Sequence, residues 1–260
     1  MGKLSDFFSV FSSEKQPFCS AIIVAAGSGL RCDCGEKTKQ MTDLLGIPVV
    51  ARTIIQFEQS QLIDEIIIVA KNEEIGSYEE MTSDFGWTKI TAVVPGGETR
   101  QKSVFLGLKQ VSEKADFIAV HDGCRCLVTP EMIDRVIDEA KIYGCAAAAC
   151  KAKDTIKLEK NGMISETIDR NHVWQAQTPQ VFKSEILRAG AYIARDDGVE
   201  VTDDCMLAEN IGFSIRLVDC GYENIKITTP EDIYIAEALL RYRSAKFDSL
   251  RESALKETAK

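Results

Sequence analysis

Short apolar runs alternate along the chain with stretches in which apolar residues recur every three or four positions. The apolar runs lie at 21–25, 66–69, 90–94, 117–120 and 146–149. The helical patterns between them lie at 48–59, 73–85, 103–111 and 130–141. Strands that alternate with helices are typical of crossover connections in a parallel sheet. The pattern therefore predicts an α/β fold, with a Rossmann-like, mostly parallel twisted sheet flanked by helices.

The pattern changes between residues 151 and 177. Residues 157–164 predict two strands around an Asn161-Gly162 turn, which is a strong hairpin signal. We expect 151–177 to form an arm that projects from the sheet. Beyond it the pattern predicts the following elements: helices at 184–194 and 203–210, strands at 213–218 and 225–227, and a helix at 230–243. From the limits of these elements we expect a leader over 1–19, one domain over 20–243 and a fraying charged tail over 244–260.

Composition and charge narrow the classes of function. The chain has 260 residues, 45% of them hydrophobic, and a net charge of 31 − 40 = −9. An acidic chain lacks the basic face of a general nucleic-acid binder. No apolar run approaches the roughly 20 residues of a membrane span, and no secretory signal pattern begins the chain. Nine cysteines, an odd number, favour free thiols. We expect a cytoplasmic protein without nucleic-acid or membrane partners.

The first candidate site is the loop that follows the run at 21–25. Gly27 and Gly29 let the backbone approach a ligand, and backbone N–H groups in such loops can cradle phosphate oxygens. Arg31 adds a planar fork of donors. The third glycine of a dinucleotide fingerprint is absent, because Cys32 holds that position. An ordinary turn is the alternative, but Lys37, Lys39 and Gln40 follow closely and favour a polyphosphate ligand.

Three later segments carry further candidate chemistry. Residues 95–103 form a second glycine loop ahead of a helix, although many such loops have no function. Asp122 ends the run at 117–120, at the sheet edge where open α/β sheets bind ligands. It is a candidate Mg²⁺ ligand, with a loop-capping role as the alternative. Lys226 lies between two isoleucines and either extends to solvent or points into a polar site.

The loop Ala25–Arg31, followed by Lys39-Gln40, resembles the signature loop of the sugar-phosphate nucleotidylyltransferases. The later motifs resemble the 2-C-methyl-D-erythritol 4-phosphate cytidylyltransferase family over about residues 20–242. That family has a Val-His-Asp-Ala-Ala-Arg-Pro segment where residues 120–126 stand here, and Gly123, Cys124 and Cys126 replace its alanines and proline. The resemblance implies one nucleotidylyltransferase domain, with the arm used in dimerisation.

The resemblance also implies a reaction and a set of roles. CMP would pass from CTP to 2-C-methyl-D-erythritol 4-phosphate, with release of pyrophosphate, in a homodimer that uses Mg²⁺ or another divalent cation. The implied catalytic residues are Arg31, Lys39 and Lys226. The implied nucleotide-binding residues are Ala25, Ala26, Gly27, Gly29, Gly97, Glu98, Arg100, Ser103, Asp122 and Gly123, with Asp122 also the metal ligand. The implied acceptor-binding residues are Arg125, Thr155, Arg170 and Thr178, with Arg125 and Thr155 reaching across the dimer interface.

Three alternatives remain open at this stage. A ribitol-5-phosphate cytidylyltransferase shares the loop and fold, but the Asp169-Arg170-Asn171 segment favours the erythritol substrate. A dinucleotide-dependent oxidoreductase needs an acidic residue at the end of the second strand, where Lys71 stands instead. A non-catalytic module would bind CTP without releasing pyrophosphate. Neither histidine, His121 or His172, is needed as a base, because the attacking phosphate is already ionised, and we expect both to be structural.

Overall fold

The computed structural model describes residues 16–27 and 38–258, with side chains up to residue 249. The strands are β1 Cys19–Val24, β2 Asp43–Leu44, β3 Ile47–Pro48, β4 Glu65–Ala70, β5 Ile90–Pro95, β6 Phe117–Asp122, β7 Cys145–Lys151, β8 Ile156–Lys160, β9 Met163–Ile168, β10 Trp174–Lys183 and β11 Arg216–Asp219. The α-helices are α1 Val49–Gln59, α2 Ile75–Phe85, α3 Arg100–Leu108, α4 Pro130–Tyr143, α5 Ser184–Asp196, α6 Cys205–Glu209 and α7 Pro230–Thr258.

Seven strands form one sheet in the order β11-β7-β10-β6-β1-β4-β5. Strand β1 pairs in parallel with β4 and β6, β4 pairs in parallel with β5, and β11 pairs in parallel with β7. Among the described strands of this sheet, only β10 runs antiparallel to its neighbours, β6 and β7. The expected mostly parallel sheet flanked by helices is therefore confirmed.

Both faces of the sheet are covered, because its central strands are apolar on both sides. Ile66 and Ile68 point to one face, where they pack with α1, α2 and α4. Ile67 and Val69 point to the other face and pack with α3, α5 and α6. All four of these side chains are fully buried. The double layer of helices leaves the carboxyl ends of the strands as the open edge of the sheet.

The helices that begin near this edge have well-defined starts. Thr129 accepts a hydrogen bond from the Met132 N–H at 3.3 Å, and Pro130 occupies the first turn of α4. Thr99 caps α3 in the same way through the Lys102 N–H, at 3.1 Å. Helix α3 therefore begins at Arg100, earlier than the predicted start at Ser103.

The predicted hairpin is present as β8 and β9, which pair antiparallel with each other and form a sheet of their own. Asn161 and Gly162 form its turn, with φ angles of 55° and 77°. These positive angles suit asparagine and glycine. The outer half of the hairpin exposes three apolar side chains: Leu158, Met163 and Ile164.

Strand β10 was not predicted, and its sequence explains why. It is polar over much of its length and contains Pro179, which cannot donate a ladder hydrogen bond. The register shifts between Ala176 and Gln180, which accommodates this interruption. The strand exists because its neighbours β6 and β7 supply partners on both sides.

Two other predictions near the end of the chain are wrong. Residues 225–227 are not a strand, although the Ile227 N–H donates to the Cys124 carbonyl at 2.9 Å. The last helix does not end at Arg243 but continues to Thr258, because 244–258 lacks glycine and proline and is rich in helix-forming residues. At the other end, β1 already begins at Cys19, inside the expected leader, of which 1–15 lies outside the described residues. Within the described ranges, no helix is long and apolar enough to cross a membrane.

Candidate active site

A cleft of about 880 Å³ lies at the carboxyl ends of β1, β4, β5 and β6. It brings together many of the predicted residues from four separate segments of the chain. Those that line it are Ala26, Gly27, Lys39, Gly97, Glu98, Arg100, Ser103, Asp122 and Lys226. Ala25 lies at the edge of this group, buried at the end of β1.

Asp122 lies at the end of β6, in the floor of the cleft, and cations hold both of its carboxylate oxygens. Its Oδ1 accepts from Arg100 Nε at 2.9 Å, and its Oδ2 accepts from Lys226 Nζ at 2.8 Å. Burial by itself raises the pKa of this carboxyl, but Arg100 and Lys226 outweigh it and hold the pKa well below its usual range. Asp122 is therefore ionised at any physiological pH.

Arg100 also contacts a second buried carboxylate, which sequence reasoning missed. Its Nη2 donates to Asp204 Oδ2 at 2.8 Å, and the Asp204 side chain is only 1% exposed. Gln180 in turn fixes Asp204, since its Oε1 accepts the N–H groups of Asp204 and Cys205 at 3.0 and 3.1 Å. The signal in the sequence was the Asp203-Asp204 pair ahead of a short helix, but its partner lies 104 residues away.

His121 and Thr178 support Asp122 from behind. His121 Nε2 lies 3.3 Å from the Arg125 carbonyl, which can only accept, so this nitrogen carries the proton. Nδ1 therefore accepts from the Thr178 hydroxyl at 3.1 Å, and that hydroxyl accepts from the Asp122 N–H at 3.0 Å. Burial lowers the pKa of His121 to about 3, which keeps the ring neutral. His121 thus has the structural position expected for it.

Thr178 was expected to bind the acceptor, but it does not line the cleft. It is 3% exposed, and its hydroxyl is committed to His121 and to the backbone of Asp122. Its position supports a role in holding Asp122 in place.

The first glycine loop is tied to the segment that carries Lys39. Gln40 is 1% exposed, and its Nε2 donates to the carbonyls of Ala25 and Gly27, the latter at 2.8 Å. The lysine is thereby held beside the end of β1. The other predicted members of this loop, Gly29 and Arg31, lie outside the described residues.

The two glycine loops approach each other so closely that a side chain would not fit between them. A Cβ atom on Gly96 would lie 2.2 Å from the Ala26 Cβ and 2.9 Å from the Ser103 Oγ. Ser103 shapes the second loop, because its hydroxyl accepts from the Gly97 N–H at 3.1 Å and donates to the Thr99 carbonyl at 2.9 Å. Ser103 therefore organises this loop. Gly96 lies in the predicted loop but was not among its candidate binding residues, and it determines how closely the two loops approach. The Glu98 side chain is exposed and pairs with Lys102 in the first turn of α3.

Two predicted residues beside the cleft pack within their own chain. Gly123 lies against β1, where an added Cβ would meet the Ala25 Cβ and the Val24 carbonyl at 3.2 Å. Arg125 was expected to reach across a dimer interface. Instead its side chain is largely buried, with Nε 3.6 Å from Asp122 Oδ2 and Nη1 donating to the Asn224 carbonyl at 2.9 Å. Both residues shape the loop that follows Asp122.

Thr155 and Arg170 lie away from the cleft of their own chain. Both belong to the arm and are exposed. The Arg170 Nη1 donates to the Lys153 carbonyl at 2.9 Å, which closes the base of the arm. The single chain therefore does not bring these two residues to Asp122.

The donor set of the cleft fits a Mg²⁺ ion that is held mainly by a substrate. Asp122 supplies a carboxylate beside the glycine loops, and no cluster of three metal-ligating side chains occurs among the described residues. Mg²⁺ characteristically binds one or two carboxylates together with substrate phosphates. Cys124 also lines the cleft, but burial raises the pKa of its thiol to about 11.

Residues 19–242 match the family model described as 2-C-methyl-D-erythritol 4-phosphate cytidylyltransferase. The chain is 41% identical to the protein of that name from Caldanaerobacter subterraneus subsp. tengcongensis, over 85% of this chain and 98% of that protein. It is 44% identical to the bifunctional enzyme IspD/IspF of Desulforudis audaxviator, over 85% of this chain and 56% of that longer protein.

The fold is also similar to that of a solved structure. The crystal structure of 4-diphosphocytidyl-2C-methyl-D-erythritol synthase from Anaerococcus prevotii superposes with a TM-score of 0.78 at 31% sequence identity. The similarity covers 87% of this chain and 99% of that protein.

Proposed function

Because the chain belongs to the 2-C-methyl-D-erythritol 4-phosphate cytidylyltransferase family, we propose that it transfers CMP from CTP to 2-C-methyl-D-erythritol 4-phosphate and releases pyrophosphate. This reaction is a step of non-mevalonate isoprenoid biosynthesis. The observation that carries the proposal is the position of Asp122. It lies between Arg100 and Lys226 in the floor of a cleft formed by two glycine loops.

The reaction needs positioning and charge neutralisation more than acid–base chemistry. An oxygen of the acceptor phosphate attacks the α-phosphorus of CTP. The bond from that phosphorus to the oxygen bridging to the β-phosphate breaks, and its electron pair leaves with pyrophosphate. The attacking phosphate is already ionised, so no base is required. His121 is neutral and both of its nitrogens are engaged, which supports this assignment.

Cations in the cleft lower the barrier by offsetting the repulsion between two anions. Lys39 and Lys226 both line the cleft and come from separate segments, one after the first glycine loop and the other after β11. Arg31 would add a third positive charge. Binding of both phosphates by these cations also sets the in-line geometry that phosphoryl transfer needs.

Asp122 would hold the divalent cation, with the remaining positions taken by phosphate oxygens of CTP. A bound Mg²⁺ supplies positive charge that stabilises the transition state. The chain's own contribution is to keep Asp122 ionised and fixed in place. The backbone N–H of Asp122 is held by Thr178, and its Oδ1 is held by Arg100.

We also infer that the enzyme is a homodimer with sites completed by the arm. Among the strands that the structure describes, the β8–β9 hairpin pairs with no other, and an isolated two-stranded hairpin is marginal in water. The exposed Leu158, Met163 and Ile164 need a covering surface, and a two-fold dimer is the commonest solution. Thr155 and Arg170 would then bind the acceptor in the other subunit's cleft. The buried free cysteines support a reducing, cytoplasmic location.

An oxygen-isotope experiment tests the assigned bond changes. The enzyme is supplied with CTP and with methylerythritol phosphate that carries ¹⁸O in its phosphate group. The proposal predicts that all of the ¹⁸O is recovered in the diphosphate ester product and none in pyrophosphate, as measured by mass spectrometry. Appearance of ¹⁸O in pyrophosphate, or formation of CMP without an ester, contradicts attack by the acceptor phosphate on the α-phosphorus.

A further inference from the structure

Two cations hold the two carboxylate oxygens of Asp122, and one of these cations is more tightly held by other residues than the other. Oδ1 accepts from Arg100 Nε and Oδ2 accepts from Lys226 Nζ, at 2.9 and 2.8 Å. Each oxygen keeps a second lone pair, but a divalent cation bound there would lie close to the cation already present, and repulsion between the two positive charges favours displacement of one of them. Which cation gives way depends on what else holds each one.

Arg100 is fixed at both ends of its guanidinium group. While Nε contacts Asp122, Nη2 contacts Asp204, whose carboxylate is almost completely buried. Asp204 cannot follow a moving arginine, because its backbone N–H is held by the buried Gln180. If Arg100 left, a buried carboxylate would lose its partner, which is strongly unfavourable.

Lys226 is less constrained. Its ammonium group has one ion-pair partner among the described residues, Asp122, and its side chain is 33% exposed. It also lines the cleft, where phosphates of a nucleotide would offer it new acceptors. The flexible lysine side chain can change partners at little cost, whereas the planar arginine fork is held in one geometry.

We propose that Lys226 and the divalent cation are alternative partners of the same oxygen, Oδ2 of Asp122. Asp204 is the positioning residue that keeps Arg100 on Oδ1 and so makes Lys226 the group that leaves. When the cation binds, Lys226 is released toward the phosphates in the cleft. This inference rests on the proposed function only in that a divalent cation enters the cleft with CTP.

The first test is Mn²⁺ binding to nucleotide-free protein, followed by electron paramagnetic resonance. Lys226→Met removes the competitor for Oδ2 and should raise Mn²⁺ affinity about tenfold more than Lys39→Met, since one charge-assisted contact is at stake. Lys39→Met is a matched control, because it removes a cleft cation for which no contact with Asp122 occurs among the described residues. In the double variant with Asp122→Asn and Lys226→Met, the gain in Mn²⁺ affinity should be absent. Equal affinities in the two lysine variants would overturn the proposal.

The second test addresses Asp204 in otherwise unaltered protein. Acetylation of Lys226 by a trace of acetic anhydride should accelerate when Mg²⁺ is added, because the released amine is more accessible. Mass spectrometry reads it against Lys141, which does not line the cleft and pairs with Asp138. In Asp204→Asn this response should shrink by at least half, since Arg100 is then free to give way instead. Asp203→Asn is the control, because Asp203 accepts from Gln180 and shows no contact with Arg100.

Identical Mg²⁺ responses in Asp204→Asn and Asp203→Asn would overturn the positioning role of Asp204. Neither test uses catalysis. The outcome of the two tests is therefore independent of the proposed function. The proposed function fails only if the parental protein forms no cytidylyl ester from CTP and the acceptor.

Discussion

The Nδ1 atom of His121 lies 3.1 Å from the hydroxyl of Thr178, and this contact joins the end of β6 to the strand that follows the arm. The same hydroxyl accepts the N–H of Asp122 at 3.0 Å. The position of the central carboxylate is therefore set by an uncharged imidazole buried behind it. Protonation of that imidazole would place a charge where no water can reach it.

This contact predicts how stability depends on pH. His121 titrates near its ordinary value of 6.5 in the unfolded chain, but its pKa is lowered to about 3 in the folded protein. As pH falls below about 6.5, the unfolded state binds the proton first, so the free energy of unfolding decreases. The slope should reach at most about 1.4 kcal/mol per pH unit. Urea denaturation between about pH 6.5 and 4.5 measures it, above the range in which Asp122 titrates.

The other histidine provides the control. His172 is 86% exposed, so His172→Gln should keep the parental slope, whereas His121→Gln should lose most of it. The slope is the informative quantity, because replacing a buried ring also lowers stability at every pH. Equal slopes in the two variants would refute the assignment of a neutral buried imidazole.

Removing either cleft lysine should reduce turnover far more than stability. Lys39→Ala and Lys226→Ala each delete a cation that offsets phosphate charge, which should cost roughly 2–4 kcal/mol of transition-state stabilisation. The measurement is kcat at saturating CTP and Mg²⁺, with Tm recorded for each variant. Lys141→Ala is the control, since that lysine pairs with Asp138 on the surface of α4 and should leave kcat unchanged. Near-parental kcat in either variant would show that the lysine concerned does not take part in the mechanism.

Gly96→Ala should damage CTP binding although it adds only one methyl group. The new Cβ would lie 2.2 Å from the Ala26 Cβ, so the two glycine loops must move apart. We expect KM for CTP to rise at least tenfold. Gly76→Ala is the matched control. Apart from its chain neighbours and the backbone of its own helix, no atom of the described residues lies within 4 Å of its Cβ position, and alanine in a helix should add about 0.5–1 kcal/mol of stability. An unchanged KM in Gly96→Ala would show that the contact between the loops is not needed for nucleotide binding.

The arm should deliver acceptor-binding residues to the partner's cleft, so two inactive variants should complement each other. Lys39→Ala disables a subunit's own cleft, and Arg170→Ala disables the cleft of its partner. Random mixing gives about half heterodimers, each with one intact site, so activity should return to roughly a quarter of the parental value. Refolding the mixture from urea ensures subunit exchange. No recovery after verified exchange would place the acceptor site within one chain.

Much of the fold followed from local patterns, and the exceptions have physical causes. Buried parallel strands such as Glu65–Ala70 are continuous apolar runs, which the sequence displays directly. Strand β10 is polar and interrupted by Pro179, so its existence depends on two neighbouring strands that local patterns do not reveal. Residues 225–227 have the composition of a strand, but they cross over the loop after Asp122 instead of joining the sheet.

The site residues likewise divide into those that local patterns reveal and those that depend on packing between distant segments. The glycine loops, Asp122 and Lys226 were found because each follows a recognisable pattern, and the structure places their described members around one cleft. Asp204 was missed because its importance comes from contact with Arg100, which depends on how distant segments pack. For Thr178 the pattern was noticed, but only the packing of β10 beside β6 reveals its contact with His121.

The most direct test of the account is pyrophosphate release from CTP across a panel of polyol phosphates, measured as kcat/KM with the parental protein and Mg²⁺. The proposed function predicts rapid release with 2-C-methyl-D-erythritol 4-phosphate, roughly tenfold slower release with ribitol 5-phosphate, and none above background with CTP alone. Faster release with ribitol 5-phosphate, or no release with any acceptor, would contradict it.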